Sequence, residues 1–303
     1  MYLCALSFAL IFATGTVNTP ADLDRSFESL KQAQASHDAS QVKTLAVSTY
    51  SAAKEIAATL APAAAEEKDA WKQEVDYAKY VQLQIEYALS STAAEAKPAE
   101  TVDLLATLEQ LNPSSKYLDA AYTRYFYALS QTGASAKIVP VAEKGLAHFP
   151  NNDDCLLVLA DNAMARKQPD KAIAYADRLV NAVNKRAKPE GMSAADWQKK
   201  RDTALGRGYF IAGVLRAEKS QFFQANENLR AALPLIKGNQ AMIPPALFYL
   251  GLANYQLGKQ LLNKAQIREA AKFSEEAAAY SGPLADQARH NALVMKQEAD
   301  RMR

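Results

Sequence analysis

The chain has 303 residues, with 35 basic and 33 acidic side chains and a formal net charge of +2. That balance, with no Lys/Arg stripe, excludes a nucleic-acid protein built on a basic surface. The 11 Gly and 12 Pro are few for this length and Ala is abundant, so an all-α chain is expected and a sheet protein is not.

The N-terminus, MYLCALSFALIFATGTVNTPADL, carries an apolar run from Tyr2 to Ala13 followed by small residues. Such a run has the length of a signal-peptide core and is short for a membrane span. Residues 1–15 are therefore read as a secretory signal with a cleavage point at Ala13-Thr14-Gly15, although the basic segment that usually precedes the core is missing. A periplasmic or secreted location follows from that reading; if the run is not a signal, the location is cytoplasmic. After cleavage no membrane span is expected. Cys4 would leave with the leader, so Cys155 stands alone as a small buried hydrophobe and no disulfide framework is implied.

From Pro20 onward, helix follows helix. Leu23, Phe27, Leu30 and Gln34 form one stripe; Asp38 is placed to cap a helix over Gln41 to Leu60, stopped by Pro62. Glu66 to Ser91 is a long amphipathic helix with Trp71, Val75, Ala78, Val81, Ile85, Ala88 and Leu89 on its buried face, and Tyr77, Tyr80 and Tyr87 filling flanking grooves. A polar connector over Ser90–Lys97 leads to Pro98 at a first helical turn. That helix stops at Asn112-Pro113. Ser114 or Ser115 caps the next, with Tyr122, Tyr125, Phe126 and Leu129 inward, until Gly133 breaks it. Ala136 to His148 is helical again, and Phe149-Pro150-Asn151-Asn152 ends it and caps its successor.

The clearest hairpin is Tyr209 to Leu233. Tyr209, Ala212, Gly213 and Arg216 share one face of its first helix, and Phe222, Ala225, Leu229, Ala232 and Leu233 share one face of its second. Gly inside a helix costs roughly 1 kcal/mol relative to Ala, so Gly213 is expected to mark close approach of the partner helix at Ala225. The same pairing is read for Ala160 with Ala172 and for Gly251 with Ala270.

The endings LNPSS and FPNNDD resemble the junctions of tetratricopeptide repeats, and Pro113 and Pro150 are 37 residues apart, near that family's period of about 34. The best match is Leu247-x2-Leu250-Gly251-x2-Asn254-Tyr255. The family's Trp is replaced by Leu156, Tyr209 and Leu247. The resemblance covers Ser114 to Ser281 and implies a right-handed α-solenoid of five to six helical hairpins. Residues 20–303 then form one domain, with divergent hairpins over 20–112, clearer ones over 114–281 and a capping helix over 283–303. Two departures stand out. A long junction between Asn184 and Arg207 contains Pro189-Glu190-Gly191 and a helix start at Ser193, and it is expected to lengthen the next helix. The last hairpin has seven extra residues around KQLLNKA.

Few residues suggest chemistry. His37, His148 and His290 are isolated, so metal-ligand spacing is absent and no metal or cofactor is expected. Gly206-Arg207-Gly208 has no strand before it, so it is not a dinucleotide loop. Glu66-Glu67, Asp153-Asp154 and Glu275-Glu276 suit helix starts and solvated faces. In the family resembled, first helices line a concave groove; Tyr127, Phe210, Phe248 and Tyr255 would face it, with Arg124 and Arg207 nearby to fix a carboxylate or carbonyl of a bound peptide. The alternative is that these aromatics only pack between helices. The expected function is a non-enzymatic adaptor holding a protein or peptide partner. A helical hydrolase or lyase of envelope polymers is the alternative, and a deep pocket with two convergent carboxylates would distinguish it.

Overall fold

The computed structural model describes residues 19–189 and 191–302. The leader read over residues 1–15 and Glu190 of the Pro189-Glu190-Gly191 turn lie outside the described residues. Among those described, the chain forms fourteen α-helices and no strand. It divides into two compact units between Ser135 and Ala136.

The first unit contains α1 (Pro20–Ala35), α2 (Ala39–Ala57), α3 (Lys68–Glu95), α4 (Pro98–Leu111), α5 (Lys116–Asp119) and α6 (Tyr122–Gln131). The inward stripes are those the period dictates: Leu23, Phe27 and Leu30 on α1, Val75, Ala78, Val81, Ile85 and Leu89 on α3. Asp38 caps α2 by accepting from the Gln41 amide and Ser115 caps α5. α1 and α3 pack side by side, as do α2 and α4, while α2 packs on α3 and α3 on α4. Two boundaries differ from the sequence reading. The connector expected over Ser90–Lys97 is helical as far as Glu95, because Thr92 and Ala93 are buried and extend the stripe of α3. The helix expected from Ser115 through Leu129 is broken after Asp119 into α5 and α6.

The second unit contains α7 (Ile138–His148), α8 (Asp153–Ala165), α9 (Pro169–Lys185), α10 (Ala194–Glu218), α11 (Phe222–Leu235), α12 (Ile243–Gln260), α13 (Lys264–Ala278) and α14 (Ala285–Arg301). α8 and α9, α10 and α11, and α12 and α13 are antiparallel hairpins. α10 contacts both α8 and α12, so these three form one layer, with α9, α11 and α13 behind it. α14 packs on α13. As the long junction predicted, Ser193 caps a lengthened α10 of 25 residues.

The turns share one device. His37, Gly133, Lys167, Ser220 and Leu262 all sit at positive φ, between 52° and 72°. After each, the next amide reaches back to a carbonyl five residues earlier: Asp38 to Ala33, Ala134 to Leu129, Gln168 to Ala163, Gln221 to Arg216 and Asn263 to Gly258, at 2.7–3.0 Å. This is the Schellman closure of a helix C-terminus. In four of the five the residue that reaches back is also the N-cap of the following helix.

The close approach at Gly213 lies one helical turn further from the reversal than expected, whereas Gly251 meets the expected Ala270 through its carbonyl and Ser274 one turn beyond it. A Cβ on Gly213 would meet Leu229 Cγ at 2.6 Å and Asn228 Cβ at 3.2 Å; Ala225 packs instead with Ala217 and Ala253. A Cβ on Gly251 would meet Ser274 Oγ at 2.6 Å and the Ala270 carbonyl at 3.1 Å. The extra residues of the last hairpin extend both of its helices towards the turn, where Gly258 lies against Ile267.

Two substitutions test these contacts by urea denaturation. Gly213→Ala should lower the unfolding free energy by about 1–3 kcal/mol, because Leu229 must move to admit the methyl group. Leu262→Gly should raise it by roughly 0.5–1 kcal/mol: Leu262 is 81% exposed, so relief of a left-handed backbone outweighs the contacts removed.

Candidate functional site

The layer of α8, α10 and α12 carries a groove. Along α10, Thr203, Arg207, Phe210, Val214 and Glu218 recur at helical spacing and line it; α8 contributes Leu157, Asp161 and Met164 at the same spacing. The groove holds two depressions. One of about 530 Å³ is mostly apolar, with Met164, Phe210, Val214, Pro244, Tyr249 and Tyr280 among its walls. The other, of about 400 Å³, is more polar and includes Asp161, Thr203, Arg207, Lys237 and Asn239.

Arg207 lines the polar depression and lies next to Phe210, which lines the apolar one. Its Nε donates to Asp161 Oδ1 at 2.8 Å and its Nη2 lies 2.6 Å from the same oxygen. The guanidinium is 5.7 Å from the Phe210 ring centre, a cation–π arrangement. Phe210 is only 5% exposed and forms floor, not rim. At the other end the Tyr249 hydroxyl donates to Glu218 Oε1 at 2.7 Å. Burial, then the hydrogen bond and charge of Glu218, push the Tyr249 phenol up to about 12.

Of the six residues expected to form the site, four lie in the second unit and two in the first. Phe210 and Arg207 are in the groove. Phe248 is buried with Leu247, Ala277 and Ala288, its ring 5.3 Å from Tyr249 and perpendicular to it. Tyr255 faces α14: its hydroxyl donates to Glu298, Lys259 lies 5.1 Å from its ring centre, and burial together with Glu298 raises its phenol to about 12. Tyr127 is 62% exposed and Arg124 is also exposed, both on α6 in the other unit. Sequence reasoning missed Tyr249, Met164, Glu218 and the Pro244–Pro245 start of α12. The adjacent pair Phe248-Tyr249 held the signal, since two neighbouring aromatics on a helix cannot both face inward.

Elsewhere, a depression of about 670 Å³ between α13 and α14 is lined by Glu275, Arg289, His290, Leu293 and Lys296. Its charges are paired, Lys296 with Glu275 and Arg289 with Asp286. Cys155 is fully buried. Among the described residues no group of three His, Cys, Asp or Glu side chains could hold a metal ion, and no helix is long and apolar enough to cross a membrane. No protein-family model matches the chain, and no curated protein is significantly similar to it.

The phenols give a pH dependence with a definite sign. Tyr50, Tyr249 and Tyr255 hold their protons in the folded chain up to about 12, whereas an unfolded tyrosine releases its proton near about 10. Their contribution to stability is complete below pH ~10 and is lost as pH rises towards ~12. Denaturation midpoints at pH 8, 10 and 11.5 should fall over the last interval, and Tyr249→Phe should reduce that fall.

Proposed function

We propose that the chain is a divergent tetratricopeptide-like scaffold, a right-handed α-solenoid of five to six hairpins closed by α14, that holds a segment of a partner protein without catalysing a reaction. The observation that carries this reading is the groove on α8, α10 and α12: an apolar depression of about 530 Å³ beside a polar one of about 400 Å³. Such a pairing suits an extended or helical peptide, with apolar side chains in the first and main-chain or charged groups in the second. One interval between reversals supports the repeat reading: those at Gly133 and Lys167 are one tetratricopeptide period of about 34 residues apart.

An acid–base enzyme acting on envelope polymers would require two carboxylates converging on one pocket. In the groove Asp161 is held by Arg207 and Glu218 accepts a hydrogen bond from the Tyr249 hydroxyl, and the two line different depressions. The secretory reading of the N-terminal run makes the partner an envelope or secreted protein.

A phage-displayed peptide library selected on the full chain tests this function. Peptides should be recovered, and Met164→Glu and Tyr280→Glu should each weaken their binding by about tenfold, roughly 1.4 kcal/mol. Helical circular dichroism and Tm should be unchanged. Selected peptides that bind both variants as well as the wild type would remove the groove as the site.

A further inference from the structure

The turns of the second unit's three hairpins share one edge. Lys219 at the end of α10 pairs with Asp170 at the start of α9, which sets the first two turns side by side. Ala217 of α10 and Ala253 of α12 share a cluster with Ala225. Ala217 precedes its reversal at Ser220 by three residues, whereas Ala253 precedes the reversal at Leu262 by nine. The α12–α13 turn therefore leads by about 9 Å, at 1.5 Å per residue. At its tip Leu261 and Leu262 are 69% and 81% exposed, and Phe223 beside the second turn is 60% exposed.

Leu262 stands there at a cost. Its φ of 52° costs a leucine roughly 1–2 kcal/mol, and its side chain meets little protein in return. Gly133 fills the same position in another turn. A strained and exposed apolar residue is explained by a contact outside the chain, and the charges around it say of what kind. Within one helical turn of the three reversals, over residues 164–171, 217–224 and 258–266, Arg166, Lys167, Lys171, Lys219, Lys259 and Lys264 stand against two acids, Asp170 and Glu218. Over the whole chain the two signs nearly balance. Asp170 is neutralised by Lys219, and Glu218 accepts from the Tyr249 hydroxyl. The end of α14 reaches the same edge, since Lys264 donates to the Met302 carbonyl. There Asp300 pairs with Arg268, Glu298 accepts from Tyr255, and Arg301 is exposed.

We propose that this edge docks on a membrane surface rich in anionic phospholipids, lying on the bilayer without crossing it. Leu261 and Leu262 enter the boundary between headgroups and acyl chains, with Lys259 and Arg301 beside them at the phosphates. The lead of the last turn fits that depth, because an apolar face bound at the interface sits about 5–10 Å below the surface. The cations of the two shorter turns then reach the phosphates as the leucines reach the acyl chains. Attraction of each basic side chain to an anionic leaflet falls off within a Debye length, about 8 Å at physiological salt, so all three turns contribute only if they face the lipid together. A nucleic acid would use the charges and leave the projecting leucines without a partner.

Co-sedimentation with vesicles of phosphatidylcholine mixed with phosphatidylglycerol tests this. The chain from Thr16 onward keeps every described helix and removes the N-terminal apolar run, which would bind lipid by itself. It should bind the mixed vesicles, less so as salt rises, and bind pure phosphatidylcholine about tenfold more weakly. Leu262→Gly should lower affinity for the mixed vesicles by about tenfold although it makes the fold more stable, which separates a lipid contact from a role in folding. Arg166→Glu combined with Lys171→Glu should also lower it by about tenfold, with helical circular dichroism unchanged. No binding to the mixed vesicles, or equal binding to both kinds, overturns the proposal. So does vesicle binding that Leu262→Gly leaves intact and a single-stranded oligonucleotide displaces, which would make the edge a general polyanion surface.

Discussion

The fold depends on one local constraint, the reversal at the end of a first helix. A single residue in the left-handed conformation ends the helix, and its successor closes the last turn and, in four of the five reversals, opens the next helix. With so short a connection two helices can only run antiparallel and in contact, and their register is set at the turn, not by the helix faces. Glycine occupies the left-handed position once; His37, Lys167, Ser220 and Leu262 accept the cost of about 1–2 kcal/mol each because the closure and the packing below it stabilise the hairpin by more.

Register fixed in this way determines where backbones can approach. Gly213 over Leu229 and Gly251 over Ser274 are the places where a side chain would collide. Polar ties then hold successive layers at a fixed offset. Arg216 joins Asp177 of α9 to Asn228 of α11, and Arg230 joins Asn254 of α12 to Glu269 of α13. Arg186 and Lys200 both engage the nearly buried Asp153, which fastens the long junction to the start of α8. Exposed ion pairs alone contribute little, but a buried Asn254 with four hydrogen bonds has few alternative positions. The groove on α8, α10 and α12 inherits its shape from these offsets.

Much of the helical framework was legible in the sequence. Period and capping residues located α1, α2, α3 and α8 within a few residues, and the insertion before Tyr209 correctly announced a longer α10. What escaped was information that neighbouring helices supply. Counting twelve residues between small side chains placed Gly213 on Ala225, whereas the turn geometry sets Leu229 there. An Ala-rich run after Ser90 looked like a connector until Thr92 and Ala93 found something to pack against. For the site, periodicity identified aromatic positions but could not assign which of Phe248 and Tyr249 turns inward. Phe210 reached the groove, but as its floor; Tyr255 was claimed by Glu298.

The reversals also bear on how the chain reaches this state. Because each is closed by hydrogen bonds spanning five residues and the helices it joins are neighbours in sequence, most native contacts in a hairpin form over short loops. Chains of low contact order lose little loop entropy before contacts compensate and fold on the microsecond-to-millisecond scale. A hairpin closed by its own turn can form before its neighbours exist, so helices emerging first during synthesis have a partner within reach before the rest of the array is made.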